Sequence, residues 1–274
     1  MVQSLNTKAM YTFATMVLRR PNLIVPHISV TTISDIDFVS LKKNTDIRAI
    51  IFDKDHTITL PYANHIHPHV EYGLRSCIDT FGCENVAILS NSAGTNDDIG
   101  YQDAIQIEES LGIPVIRHVT KKPGGIDEVM AHFATNTTRT TTTTTTVTHP
   151  TQLCMVGDRL LTDIVFGNIY NMLTIHTAAL PYAVHEEPPI SYSSSSSSDP
   201  PIPHRDNWTA QLLRPLENKI LYRSNIFGMK RKLFTSPIPH PAYDNHIHNK
   251  QQTFVLSRSR TSQHEKKRPR ENDD

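Results

Sequence analysis

Cysteine is scarce in this sequence: Cys77, Cys83 and Cys154 are the three among 274 residues. An odd number without metal-ligand spacing argues against a disulfide framework and against a zinc site, and fits a reducing compartment. Net charge is missing as well, because 27 Lys and Arg stand against 27 Asp and Glu. A chain so balanced is not built, as a whole, to live on nucleic acid. Long apolar runs are also absent, none reaching the roughly 18 residues that a membrane-spanning helix needs. What remains is a chain that is 38% hydrophobic, with Leu, Ile and Val in short runs that can build the core of one moderate domain.

The run that organises the rest is Ala49-Ile50-Ile51-Phe52, which leads straight into Asp53-Lys54-Asp55-His56-Thr57. A buried strand ending in two carboxylates puts acidic groups at the carboxyl edge of a sheet, where open α/β folds place their chemistry. Two unpaired aspartates are poor core, since each buried charge costs several kcal/mol. They call for a hard cation such as Mg²⁺, with one carboxylate left to attack and the other to handle protons. A solvated acidic turn is the plainer reading of the same string.

Three further strand ends follow. Val86-Ala87-Ile88-Leu89 runs into Ser90-Asn91-Ser92-Ala93-Gly94, where a hydroxyl and neighbouring N–H groups can hold an anion or simply cap the next helix. Residues 113–118 read as a short strand before Lys121-Lys122-Pro123-Gly124-Gly125, and a lysine fixed there can neutralise a phosphoryl oxygen. Leu153-Cys154-Met155-Val156 leads into Gly157-Asp158, with Asp163 five residues further on to hold the loop or a lysine. Asp53, Ser90, Lys122 and Asp158 are separated by 37, 32 and 36 residues, and each brings a residue type that phosphoryl transfer uses. His65, His67 and His69 alternate after the first aspartates, but no Cys or carboxylate completes a ligand set and imidazole suits Mg²⁺ badly.

Asp-x-Asp-x-Thr, the strand-end serine, the lysine before proline and Gly-Asp-x-x-x-x-Asp together resemble the four motifs of the haloacid-dehalogenase (HAD) phosphatases. The resemblance implies a Rossmann-like α/β fold with a mostly parallel sheet flanked by helices. By it Asp53 is the nucleophile, Asp55 the general acid/base and Thr57 a supporting hydroxyl. Ser90, Asn91 and Lys122 bind the phosphate, with Lys121 in reserve. Asp53, Asp55 through its carbonyl, and Asp158 hold Mg²⁺, and Asp163 supports the loop. The strings Leu89-Ser90-Asn91-Ser92-Ala93-Gly94, Arg117-His118-Val119-Thr120-Lys121-Lys122-Pro123-Gly124 and Val156-Gly157-Asp158-Arg159-Leu160-Leu161-Thr162-Asp163 are similar to the mitochondrial phosphatidylglycerophosphatases of fungi and plants. That similarity implies hydrolysis of phosphatidylglycerophosphate on the matrix side of the inner mitochondrial membrane, by a peripheral protein meeting an anionic phospholipid. The intervals between motifs hold little beyond one helix each, so no large cap is expected and the site is open, as suits a phosphate presented on a surface.

The flanks carry no motif. Residues 1–34 contain Lys8, Arg19 and Arg20 but no acid, and Met10, Phe13, Val17 and Leu18 fall near one helical face. This reads as a targeting or membrane-contacting segment, or as an ordinary amphipathic helix packed on the domain, with 21–30 extended. The catalytic domain is expected over 35–180, interrupted by a flexible Thr-rich insertion at 135–148. Beyond it are expected a Pro/Ser-rich linker at 181–207, a possible amphipathic helix at 208–223, and a disordered basic tail at 224–274. Rival readings are a phosphatase for a soluble or protein-bound phosphate, and a non-enzymatic module whose Lys266-Lys267-Arg268-Pro269-Arg270 run binds nucleic acid.

Overall fold

The computed structural model describes residues 19–135, 146–181, 236–248 and 254–256. Most of the first 20 residues, most of the Thr tract, the Ser-rich stretch, the expected helix at 208–223 and the basic run at 266–270 lie outside them. The elements in chain order are β1 (Ile28–Val30), α1 (Phe38–Asn44), β2 (Ala49–Phe52), α2 (Pro68–Phe81), β3 (Val86–Ile88), α3 (Gln102–Leu111), α4 (Ile126–Thr135), β4 (Leu153–Gly157), α5 (Val165–Ile169), β5 (Leu173–Thr177) and α6 (Pro241–His248).

The five strands form one parallel sheet in the order β1-β5-β4-β2-β3. Every residue of β2, β3, β4 and β5 is buried, and β2, β3 and β4 accordingly read as unbroken apolar runs, whereas β5 buries Thr174, His176 and Thr177 among its apolar residues. Alternation splits that core in two. Ile50, Phe52, Val86, Ile88, Cys154 and Val156 face the layer of α1 and α2, whereas Ala49, Ile51, Ala87, Leu153 and Met155 face α4 and Phe166. Gly73 lets α2 approach closely, since a Cβ there would lie 2.6 Å from the backbone of Ile33. The intervals between motifs hold α2 and α3, each with its apolar face in the core, and no cap is inserted in either.

Three expectations differ from what forms. Residues 113–118 do not make a full strand; a single bridge joins Val115 to Ile88. Pro114 has no N–H to carry the ladder back from the bridge, and the outward N–H of Val115 is taken by Glu108 Oε1 at 2.7 Å. The segment 21–34 is part of the domain: Pro21–Ile24 is a 3₁₀ turn with Leu23 buried, and β1 pairs with β5 at the sheet edge. The tail from 224 is not wholly disordered, because Ile238, Ala242 and Phe254 are buried in the core and Val255 bridges Ile36. The left-handed turn before β5 falls at Asn171 (φ 56°), a conformation that asparagine adopts more readily than most residues.

Candidate active site

All five strands point the same way, so the loops after β2, β3 and β4 emerge together at one edge. Asp53 continues β2, its N–H donating to Val156 O at 2.9 Å, which fixes the carboxylate beside the end of β4. Lys122 Nζ reaches it from the third loop, donating to Asp53 Oδ1 at 2.5 Å and to Asp163 Oδ1 at 2.6 Å. All three residues are buried. Lys121, the reserve, turns away and pairs with Asp97 on the surface at 2.6 Å.

The fourth loop is built for closeness. A Cβ on Gly157 would lie 2.6 Å from Asp163 Cγ, so only glycine lets the Asp163 carboxylate come under the strand end. Asp163 also accepts the N–H of Arg159 through Oδ2 at 3.1 Å, tying the loop back on itself. One carboxylate oxygen from each of Asp53, Asp158 and Asp163 lies within 4.8 Å of the others. This all-oxygen triad suits a hard divalent cation. Three carboxylates against one ammonium leave negative charge uncompensated. Burial is the largest influence on Asp53 and pushes its carboxyl up to about 6; Lys122 opposes that, while Asp163 and Asp55 add to it. Burial alone would lower Lys122, but the carboxylates of Asp163 and Asp53 outweigh it and hold the ammonium above its ordinary value.

The other expected residues sit as follows. Asp55 is at the mouth, its side chain 38% exposed and paired with the buried Lys54 at 3.0 Å, so its carboxylate is outside the triad. Thr57 is buried and its Oγ1 has no hydrogen-bond partner among the described residues, so it supports neither aspartate directly. Ser90 Oγ closes its own turn, accepting the N–H groups of Ser92 and Ala93 at 3.2 and 3.5 Å, which is the capping alternative. Asn91 Oδ1 accepts the N–H of Lys122 at 2.8 Å and thereby links the second loop to the third. His67 accepts the N–H of His69 at the start of α2, and the metal-competent group among the described residues includes none of the three histidines.

Two contributors were not read from the sequence. Lys54, inside the first motif, is a buried cation facing Asp55. His176, at the end of β5, has Nε2 at 3.1 Å from Asp158 O. The carbonyl can only accept, so Nε2 carries the proton and the ring positions the fourth loop; burial lowers its pKa, against the Asp158 carbonyl and Asp163, which raise it. A polar residue at the carboxyl end of an otherwise apolar run was the available signal.

A five-stranded parallel sheet flanked by helices, with its acidic residues on the outer ends of neighbouring strands, is consistent with the Rossmann-like fold of the HAD superfamily. Within that class the chain belongs to the mitochondrial PGP phosphatase family, whose sequence model matches residues 8–180. It is 37% identical over 180 residues to phosphatidylglycerophosphate phosphatase 1, chloroplastic, of Chlamydomonas reinhardtii, covering 65% of this chain and 61% of that one. It is 36% identical over 188 residues to the chloroplastic/mitochondrial phosphatidylglycerophosphate phosphatase 1 of Arabidopsis thaliana, covering 68% and 49%. It is 34% identical over 152 residues to the mitochondrial phosphatidylglycerophosphatase GEP4 of Saccharomyces cerevisiae, covering 56% and 76%. The chain thus spans between about half and two thirds of the two plant and algal relatives. No solved structure matches it.

Proposed function

We propose that this protein hydrolyses phosphatidylglycerophosphate to phosphatidylglycerol and inorganic phosphate through a phospho-aspartate on Asp53, with Mg²⁺ as cofactor. The observation that carries the reading is the buried bridge from Asp53 through Lys122 to Asp163, with Asp158 beside it. Names of relatives in the family supply the substrate.

In the first step an Asp53 oxygen attacks phosphorus in line, and the bond from phosphorus to the glycerol oxygen breaks. Asp55, two residues on and open to solvent, gives its proton to the leaving oxygen. In the second, Asp55 takes a proton from water as that water attacks the phospho-aspartate, which returns Asp53 and releases phosphate. Lys122 lies where its charge offsets the equatorial oxygens. Asn91 holds the Lys122 backbone, and His176 holds the Asp158 carbonyl. A Mg²⁺ ion held by Asp53, Asp158 and Asp163 would add Lewis-acid stabilisation and keep Asp53 ionised by lowering its raised pKa.

The family's description and the acid-poor first 34 residues support a mitochondrial protein. On this reading it works as a peripheral protein on the matrix side of the inner membrane. No helix among the described residues is long and apolar enough to cross a membrane. The test is phosphate release from phosphatidylglycerophosphate in vesicles, with and without Mg²⁺, for wild type beside Asp53→Asn. Release by wild type alone, dependent on the ion, is expected. Activity confined to soluble esters would keep the chemistry and discard the lipid.

A further inference from the structure

The loop between Ser90 and α3 does something that the chemistry does not require. Among the described residues its Ile99 is the most exposed large hydrophobic side chain, at 87%. The turn displaying it is rigid. The buried Asp98 carboxylate accepts the N–H groups of Gly94, Asp103 and Ala104 at 2.9, 3.0 and 3.0 Å. Gly100 and Tyr101 both take left-handed backbone, at φ 65° and 56°, which is costly for a tyrosine. Tyr62, on the loop after β2, is left-handed too (φ 62°) and mostly exposed. Val119, on the third loop, is 63% exposed. All four residues lie on loops that leave the sheet at the edge carrying Asp53.

This rim is joined to the site. His118 N–H donates to Gly94 O at 2.8 Å, and Lys121 pairs with Asp97, two residues before Ile99. The nearby cations are already neutralised inside the protein. Arg117 makes two bonds to Glu108, at 2.9 and 2.8 Å, and lies over the Tyr101 ring at 5.4 Å. A surface for electrostatic attraction would leave such cations unpaired. An exposed aliphatic tip on the same edge as Tyr101 and Tyr62 instead matches the depth profile of a bilayer interface, with amphipathic rings at headgroup level and an aliphatic side chain below them.

We infer that the Ile99–Tyr101 turn, together with Val119 and Tyr62 on other loops of the same edge, is a bilayer-inserting edge that seats the uncapped site on a phospholipid surface. The inference rests on the lipid-phosphatase reading and adds to it the surface by which the enzyme meets its substrate. Apolar insertion, not charge, drives the docking, so high salt removes little of it.

The full-length protein and the double variant Ile99→Ser/Val119→Ser are compared by co-sedimentation with vesicles of phosphatidylcholine and phosphatidylglycerol. Losing two exposed aliphatic side chains is expected to weaken binding about tenfold or more. Thermal midpoint and hydrolysis of p-nitrophenyl phosphate stay at wild-type levels, and Ile99→Leu keeps wild-type binding. Undiminished binding by the double variant, no binding by wild type, binding abolished by salt, or an early-melting variant would each overturn the proposal. Wild type that binds vesicles but releases no phosphate from phosphatidylglycerophosphate would remove the substrate assignment and leave the docking edge standing.

Discussion

Lys122 serves two carboxylates at once, and this makes it a stability residue as well as a reactive-site one. Replacing it by Met leaves Asp53, Asp158 and Asp163 together without their cation. Breaking a buried pair in this way costs about 3–5 kcal/mol, so the variant should melt well below wild type and lose on the order of 10²–10³ in turnover. Asp53→Asn removes one of the excess charges instead. It is expected to abolish turnover with a thermal midpoint at or above that of wild type, and calorimetry beside a phosphate-release assay checks both. Gly157→Ala separates closeness from charge: the added methyl meets the Asp163 side chain, and a loss of about 2 kcal/mol is expected in denaturant unfolding.

At the scale of elements, the segment leading into β1 is tied to the sheet by a neutral histidine. His27 Nδ1 accepts the N–H of Thr174 at 3.1 Å, and Nε2 donates to Ile238 O at 2.8 Å. Burial is the main cause that lowers its pKa to about 4; His240 adds to the shift and the Ile238 carbonyl opposes it. Above the unfolded value of 6.5 neither state carries the proton, and the contribution is complete. As pH falls from there toward 4 the unfolded chain takes up a proton that the folded chain refuses, so stability declines, and below 4 it declines no further. Urea unfolding at pH 7.5 and pH 5 should differ by about 2 kcal/mol from this residue, and His27→Asn should flatten the slope. The elements themselves were unevenly legible. β2, β3 and β4 read directly because a strand buried on both faces is an apolar run, Asp53, Asp55 and Asp158 read because they follow such runs, and Lys122 reads because it stands directly before Pro123. The 113–118 stretch has the same composition but lacks the ladder N–H at Pro114, and β1 is too short to show a period. Lys54 and His176 were missed for a different reason, since a cation beside Asp55 or a ring on the Asp158 carbonyl has meaning only once distant strands are neighbours.

Across the whole molecule, the family match covers residues 8–180 while the packed core does not stop there. Ile238 closes a cluster with Leu23, Ile24, Leu161 and Val165, directly behind the fourth motif. Phe254 is buried in the main core, and its carbonyl accepts the N–H of Asp37 at 2.8 Å while Leu256 N–H donates to Asp35 O at 2.8 Å. The described parts of the N-terminal and C-terminal segments therefore pack on one another and on the domain, Ile238 with Leu23 in one cluster and Phe254 beside Asp37 in the main core. A truncation beginning at residue 35 removes Leu23 and β1 and should melt below wild type. Phe254→Ala is expected to cost about 3 kcal/mol. Ending the chain at residue 180 should cost more, because it strips Ile238 from the cluster behind Leu161 and takes the Ile238 carbonyl from His27. That truncation retains every motif, so comparing its phosphate release below and above its lowered melting temperature separates the two roles of the chain. Activity that survives in the cold and vanishes early on heating would place the C-terminal segment in stability alone, and activity lost at all temperatures would place it in the geometry of the fourth motif.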